Sequence, residues 1–289
     1  MRSKLFVPGS RPELFPKALA SAADSLSFDL EDAVAETAKD EARRLVAAAL
    51  RAPEFAASPK TLIVRINAPA SPHFEADLAA VARPRLDLLN LPKIETADEV
   101  RAVARQLTRL EAERGIARPI ALLLTIESPR GLRCAAEIAA ADPRVAGLQL
   151  GFGDLFEPLG VDRAQAAAIQ QIQLALRLAA GEAGVWCCDA AYGAIKDLDG
   201  FRAEALAARR LGYIGKSCIH PSQVAAANEV FRPTDEEIRF ALRVIEAADK
   251  AAASGAGAFA VEGRMIDAPF LKRARAIAAI ARRLDPPVA

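Results

Sequence analysis

The chain has 289 residues, 52% of them hydrophobic, enough for one large α/β domain or two small ones around a substantial core. Lys and Arg number 38 against 37 Asp and Glu, so the balance gives no basis for bulk binding to nucleic acid or a membrane surface. The first residues, MRSKLFVPGSRPEL, hold too short an apolar stretch for a signal peptide, and no later run reaches the roughly 18 apolar residues of a membrane span. A cytoplasmic protein is expected.

In chain order, eight short apolar runs recur: KLFVPG, SLSFDLEDA, TLIVRINA, DLLNLPKIE, IALLLTIES, GLQLGFGDL, GVWCCDAAY and YIGKSCIHP. Alanine-rich segments such as AKDEARRLVAAALR and TADEVRAVARQLTRLEAER separate them, with apolar residues on one helical face and charges on the other. Eight strand and helix alternations predict a closed parallel (β/α)8 TIM barrel over residues 1–232 rather than an open doubly wound sheet. No GxGxxG follows the first run, which argues against a dinucleotide-binding sheet.

Residues 233–289 form a C-terminal helical extension beyond what a barrel needs. TDEEIRFALRVIEAADKAAASG opens on a capping box, Thr234 with Glu237, and should run as a helix to Gly255 and Gly257. AFAVEGRMIDAPFLKRARAIAAIARRL then reads as a short strand, a turn and a basic amphipathic helix. Such a tail packs either on a neighbouring subunit or on its own barrel. A homo-oligomer, with a trimer preferred, is expected.

Most runs turn polar at their C-terminal ends, at Glu31 and Asp32, Arg65 and Asn67, Lys93 and Glu95, Glu127, Asp154, Asp189, Lys216 and His220. In a barrel these ends meet on one face, where active sites form. The run IALLLTI, which reads as a buried strand, ends in Glu127, and a buried carboxylate is costly unless a cation meets it. Glu127 and Asp154 end neighbouring runs. With no histidine or cysteine cluster nearby, an oxygen-only pair suits Mg2+, with Glu31 and Asp32 holding its waters. The competing reading pairs Glu127 with Arg130 or another arginine.

Arg65 suits gripping a carboxylate or a developing oxyanion, or else serves as a structural partner of Glu31 or Asp32. Arg11 and Lys17 flank the first helix start, where phosphate is attracted, although basic loop residues are commonly just solvated. The four cysteines, Cys134, Cys187, Cys188 and Cys218, lack CxxC spacing and read as packing residues; adjacent Cys187 and Cys188 should face opposite ways.

Taken together, RSKLFVPGSRPELFPKA, FDLEDAV, VRINAP, LPKIE, LLTIESPRGL, LGFGDL, GKSCIHPSQV and GRMIDAP resemble the citrate lyase beta-subunit and malyl-CoA lyase group of the HpcH/HpaI aldolase superfamily, in order and over nearly the whole chain. The resemblance implies a Mg2+-dependent carbon-carbon lyase that cleaves or forms a 3-hydroxyacyl-CoA of malyl, citramalyl or citryl type, from or to acetyl-CoA and an oxoacid. It implies metal ligation by Glu127 and Asp154, with Glu31 and Asp32 near the metal waters and Arg65 at the substrate carboxylate and carbonyl. Arg11 and Lys17 match residues at the CoA phosphates, and Ile219, His220 and Pro221 a loop near the nucleotide. Asp267 matches an acid or base that reaches the active site of an adjacent subunit. Relatives often carry threonine, glutamate or asparagine before the second metal aspartate; Phe152 and Gly153 stand here, which bears on substrate choice. Three other readings remain: a citrate lyase beta subunit acting on a carrier-protein thioester within a complex, a metal aldolase that needs no CoA, and, ranked last, a catalytically silent barrel that only binds CoA esters.

Overall fold

The computed structural model of the chain describes residues 1–253 and 258–284. Its first unit, Met1–Phe231, contains eight parallel strands closed into a barrel in sequence order. They are β1 Ser3–Pro8, β2 Ser25–Asp29, β3 Thr61–Arg65, β4 Leu88–Leu91, β5 Ala121–Ile126, β6 Val145–Leu150, β7 Trp186–Asp189 and β8 Gly215–Cys218. The ring closes where Lys4 pairs with Ser217 and Leu5 with Cys218. Each of the eight predicted runs supplies one strand, and the (β/α)8 architecture is as expected.

Side-chain alternation sorts each strand into two faces. Leu5, Val7, Leu26, Phe28, Leu62 and Val64 join one apolar cluster with Phe15, Phe55 and Leu78 from the surrounding helices. The registers Phe6 to Ser27, Pro8 to Asp29 and Asp29 to Arg65 carry the opposite, lumen-facing set from strand to strand. Strands buried on both faces read as continuous apolar runs, and β2 and β4 are buried at every position.

Crossover helices bury the face their periodicity predicts. Along Ala97–Arg114, residues Val100, Val103, Ala104, Leu107 and Glu111 are buried. That helix starts at a reciprocal Thr96 and Glu99 capping box and ends at Gly115, whose φ of 63° is the left-handed cap conformation.

Alternation also corrects the expectation that all polar strand ends share one site. Asp189 and Lys216 point away from the lumen: Lys216 Nζ lies 2.6 Å from Asp189 Oδ2 and 2.5 Å from Glu204 Oε1, and Gln173 Nε2 donates to Asp189 at 2.9 Å. They bind strands to helices. Asn67 is likewise structural, donating to Leu30 O and Asp77 Oδ2. All four cysteines are free thiols. Cys187 Sγ faces the Leu176 carbonyl, and Cys188, next in sequence, takes the other face.

The second unit, Arg232–Ala289, is built from the helix Asp235–Ala253, the strands β9 Phe259–Val261 and β10 Arg264–Ile266, and the helix Ala268–Leu284. The predicted capping box is present, with Glu237 N donating to Thr234 Oγ1 at 3.1 Å and Thr234 N to Glu237 Oε2 at 2.7 Å. Gly255 and Gly257, the expected helix end, lie outside the described residues. Where one short strand was expected, two pair antiparallel. Glu262 and Gly263 join them at φ 51° and 74°, as a two-residue hairpin turn with both central φ positive requires. Ala241, Val244, Val261, Ile266 and Ala274 form this unit's core.

Candidate active site

A cleft of about 430 Å3 opens where the barrel strands end, lined by Phe6, Arg65, Glu127, Gln149, Asp154 and Ile219 among others. Glu127 directly follows β5 and is only 4% exposed. Its Oε1 accepts the Lys93 backbone N–H at 2.7 Å. Arg130 is not its partner, since that side chain lies 3.7 Å from Glu95. Burial first, and then the charges of Glu31 and Asp154, push the Glu127 carboxyl up to about 8.

Gly151, just past β6, makes room for this carboxylate. A Cβ there would sit 2.7 Å from Glu127 Cβ and run into Oε2. Asp154 is not at a strand end as read from the sequence. It lies on the short helix Phe152–Phe156, after β6 has ended at Leu150, and is partly exposed. The strand ends at Leu150, and the chain turns at Gly151 into a helix at the cleft.

These residues fit a hard divalent cation. A buried carboxylate with one backbone donor, seated in a glycine cradle beside a second carboxylate, is electrostatically incomplete. Among the described residues no group of three His, Cys, Asp or Glu is arranged to hold a metal; a cation beside Glu127 and Asp154 would be met by one or two carboxylates rather than by a closed cage. Mg2+ is bound in that way, with water filling the other positions.

Arg65 ends β3 inside an acidic collar. Its Nε and Nη2 each donate to Asp29 at 2.7 Å, while Nη1 lies 2.9 Å from Glu31 and 3.1 Å from Asp32. Burial opposes its charge, but the Asp29 hydrogen bonds and the nearby carboxylates outweigh it and raise its pKa. Asp29 feels the reciprocal balance: burial works against ionisation, yet Arg65 and the Glu31 and Ala33 N–H groups hold its pKa down. For Glu31 burial dominates and raises the pKa despite Arg65 and Lys93. Asp32 stays exposed at the rim.

Two members of this set were missed in the sequence. Asp29 reads in the sequence as strand body beside the more conspicuous Glu31 and Asp32. Lys93 was noted only as a polar strand end, yet its Nζ lies 2.9 Å from Glu31, 3.7 Å from Asp154 and 3.8 Å from Asp32. In the structure Asp29 registers opposite Arg65 across β2 and β3, a pairing that local sequence spacing does not show.

Of the residues expected at a nucleotide, all but Ile219 lie outside the cleft lining. Arg11 precedes a short 3-10 turn, is exposed and pairs with Glu13; Lys17 is exposed on the helix Phe15–Ala20. Ile219 lines the cleft, while His220 caps the helix Pro221–Val230 by accepting the Ser222 N–H at 3.2 Å. Asp267 sits in the second unit between β10 and the last helix, where its carbonyl accepts the Leu271 N–H.

The chain is similar to known proteins over nearly its whole length. It is 36% identical to the L-malyl-CoA/beta-methylmalyl-CoA lyase of Rhodobacter capsulatus, over 96% of this chain and 93% of that one. It is 38% identical to the citrate lyase subunit beta of Escherichia coli, over 96% and 91%. Among solved structures, protein CitE from Mycobacterium tuberculosis, in complex with magnesium, acetoacetate and coenzyme A, superposes with a TM-score of 0.75 at 34% identity, covering 97% of this chain and 99% of that one. The profile of the HpcH/HpaI aldolase/citrate lyase family matches residues 2–221, the span that builds the barrel and its acidic cleft, and the chain belongs to that family.

Proposed function

We propose that the protein is a Mg2+-dependent carbon-carbon lyase that cleaves a 3-hydroxyacyl-CoA to acetyl-CoA and an oxoacid, or runs the reverse condensation. The observation that carries this reading is the Glu127 and Asp154 pair in one cleft with Arg65. Named relatives acting on malyl-CoA, and a solved relative holding magnesium and coenzyme A, support it.

Glu127 and Asp154 would hold the metal, with Glu31 and Asp32 ordering its waters. When bound, Mg2+ supplies Lewis-acid polarisation of the oxoacid oxygens. The protein's own groups do the rest. Arg65, held by Asp29 on one edge and facing Glu31 and Asp32 with Nη1, lines the cleft and would neutralise charge that grows on the substrate oxygen. In cleavage a base removes the 3-hydroxyl proton, the C2–C3 bond electrons pass to the thioester as an enolate, and Asp267 returns a proton to C2; condensation reverses each transfer. Arg11 and Lys17 would meet the CoA phosphates outside the cleft, with Ile219, His220 and Pro221 near the nucleotide. The extension would pack on a neighbouring subunit of a cytoplasmic homo-oligomer, a trimer by preference, and bring Asp267 to that subunit's site.

Hydroxyacyl-CoA thioesters of malyl, citramalyl and citryl type test this in the cleaving direction. Acetyl-CoA release that needs Mg2+ and is lost in Glu127→Ala supports the assignment; turnover surviving either removal refutes it. Likeness to the citrate lyase beta subunit favours a second reading, action on a carrier-protein thioester within a complex. Cleavage confined to carrier-bound substrate would select it.

A further inference from the structure

Lys93 is the only non-glycine residue besides Glu262 whose φ is positive among the described residues, at 55°. A side chain in that conformation is strained and needs a reason. Here the twist aims one residue at both halves of the acidic site. Its backbone N–H is fixed on Glu127, and its side chain returns across Glu31, Asp32 and Asp154.

The two attachments differ in kind. Glu127 Oε1 receives a 2.7 Å hydrogen bond, whereas Glu31 Oε1, 2.9 Å from Lys93 Nζ, has no aligned hydrogen-bond partner. The Lys93 side chain is 43% exposed, so its ammonium has a path to solvent while the backbone stays pinned. Asp154 is shared between this ammonium and the cleft.

We propose that Lys93 is an internal stand-in for the divalent cation: its ammonium holds the acidic rim together in the metal-free protein, and yields Asp154 when the metal binds. The inference rests on the Mg2+ site proposed above. An ammonium is a compact point charge on a flexible stem, suited to leaving in a way that a bidentate guanidinium is not. It also offsets part of the mutual repulsion of Glu31, Asp32 and Asp154, the three carboxylates it faces.

The experiment compares wild type, Lys93→Met and Lys93→Arg by Mg2+ calorimetry and by thermal unfolding of chelated protein. Loss of a competing charge should make Mg2+ bind about tenfold tighter to Lys93→Met. The chelated variant should melt a few degrees lower, and Mg2+ should raise its Tm more than wild type's. Lys93→Arg, which keeps the charge and grips it harder, should bind Mg2+ more weakly. A second readout needs no variant: amine acylation of wild type, read by mass spectrometry, should label Lys93 faster with Mg2+ than with chelator. Unchanged or weaker Mg2+ binding in Lys93→Met, or Lys93 labelling indifferent to Mg2+, overturns the stand-in role while leaving the metal site intact. Wild type that binds no Mg2+ overturns both.

Discussion

Lys4 lies one lumen-facing step below Phe6, fully buried, with its ammonium 4.0 Å from the Phe6 ring centroid and no hydrogen-bond acceptor. Burial drives its pKa down to about 7, with the Arg65 charge adding to the fall and Cys188, Asp29 and Glu127 opposing it. The unfolded chain takes up this proton below about 10.5, the folded one only below about 7. Between those values the unfolded state binds more protons, so stability rises with pH by up to about 1.4 kcal/mol per unit. Lys4→Met should flatten that slope and gain roughly 2–4 kcal/mol at pH 7, since removing an unpaired buried charge removes its desolvation cost. Urea melts at pH 7 and pH 9 check it; equal slopes in the two proteins would contradict it. The sequence shows Lys4 only as a polar letter in RSKLFVPG. Its position below the cleft floor follows from which face of β1 looks inward, and that is fixed by pairing with β2 and β8 rather than by local pattern.

At the scale of elements, the strands were legible because each is a run buried on both faces, and the helices because their apolar spacing is regular. What failed was the detail at strand ends, where alternation separates residues that look alike in the sequence. Asp189 and Lys216 resemble Glu127 as polar terminators but face the helices. Asp154 was legible as a carboxylate but not as a helical one, because GFGDL has too little periodicity to reveal a five-residue helix. At the passage from β6 into that helix, Gly151 leaves the room that Glu127 occupies. Gly151→Ala should drive the Glu127 carboxylate out of its seat and weaken Mg2+ binding by at least tenfold, with the circular dichroism of the barrel unchanged. Calorimetry beside a far-ultraviolet spectrum measures both. Metal affinity equal to wild type would show that the cradle is not needed.

For the whole molecule, the sequence pointed to a barrel followed by a surplus tail, and to Asp267 in that tail as an acid or base for a neighbour's site. Glu127, just past β5, and Asp154, on the helix after β6, line one cleft; the assignment of Asp267 rests on resemblance to GRMIDAP. Complementation tests it. Glu127→Ala and Asp267→Asn, each inactive alone, should recover about a quarter of wild-type activity when co-folded at random, because some sites then combine an intact barrel with an intact neighbouring tail. No recovery from co-assembled oligomers would confine Asp267 to its own chain or remove it from the chemistry. Substrate choice is the part least legible in the sequence. Malyl, citramalyl and citryl groups differ by small substituents that the cleft walls discriminate, and Phe152, buried at 2% exposure under the Arg163 guanidinium, is a wall of this chain's own.

The central claim is the lyase chemistry itself, and the most direct measurement runs it in the condensing direction. Purified protein is incubated with acetyl-CoA and, in parallel, glyoxylate, pyruvate or oxaloacetate, with Mg2+ or with EDTA, and the thioesters are read by mass spectrometry. The account predicts a new hydroxyacyl-CoA, or free CoA from its hydrolysis, with Mg2+ only. No product from any oxoacid, together with survival of the hydroxyacyl-CoA compounds offered in reverse, would contradict it.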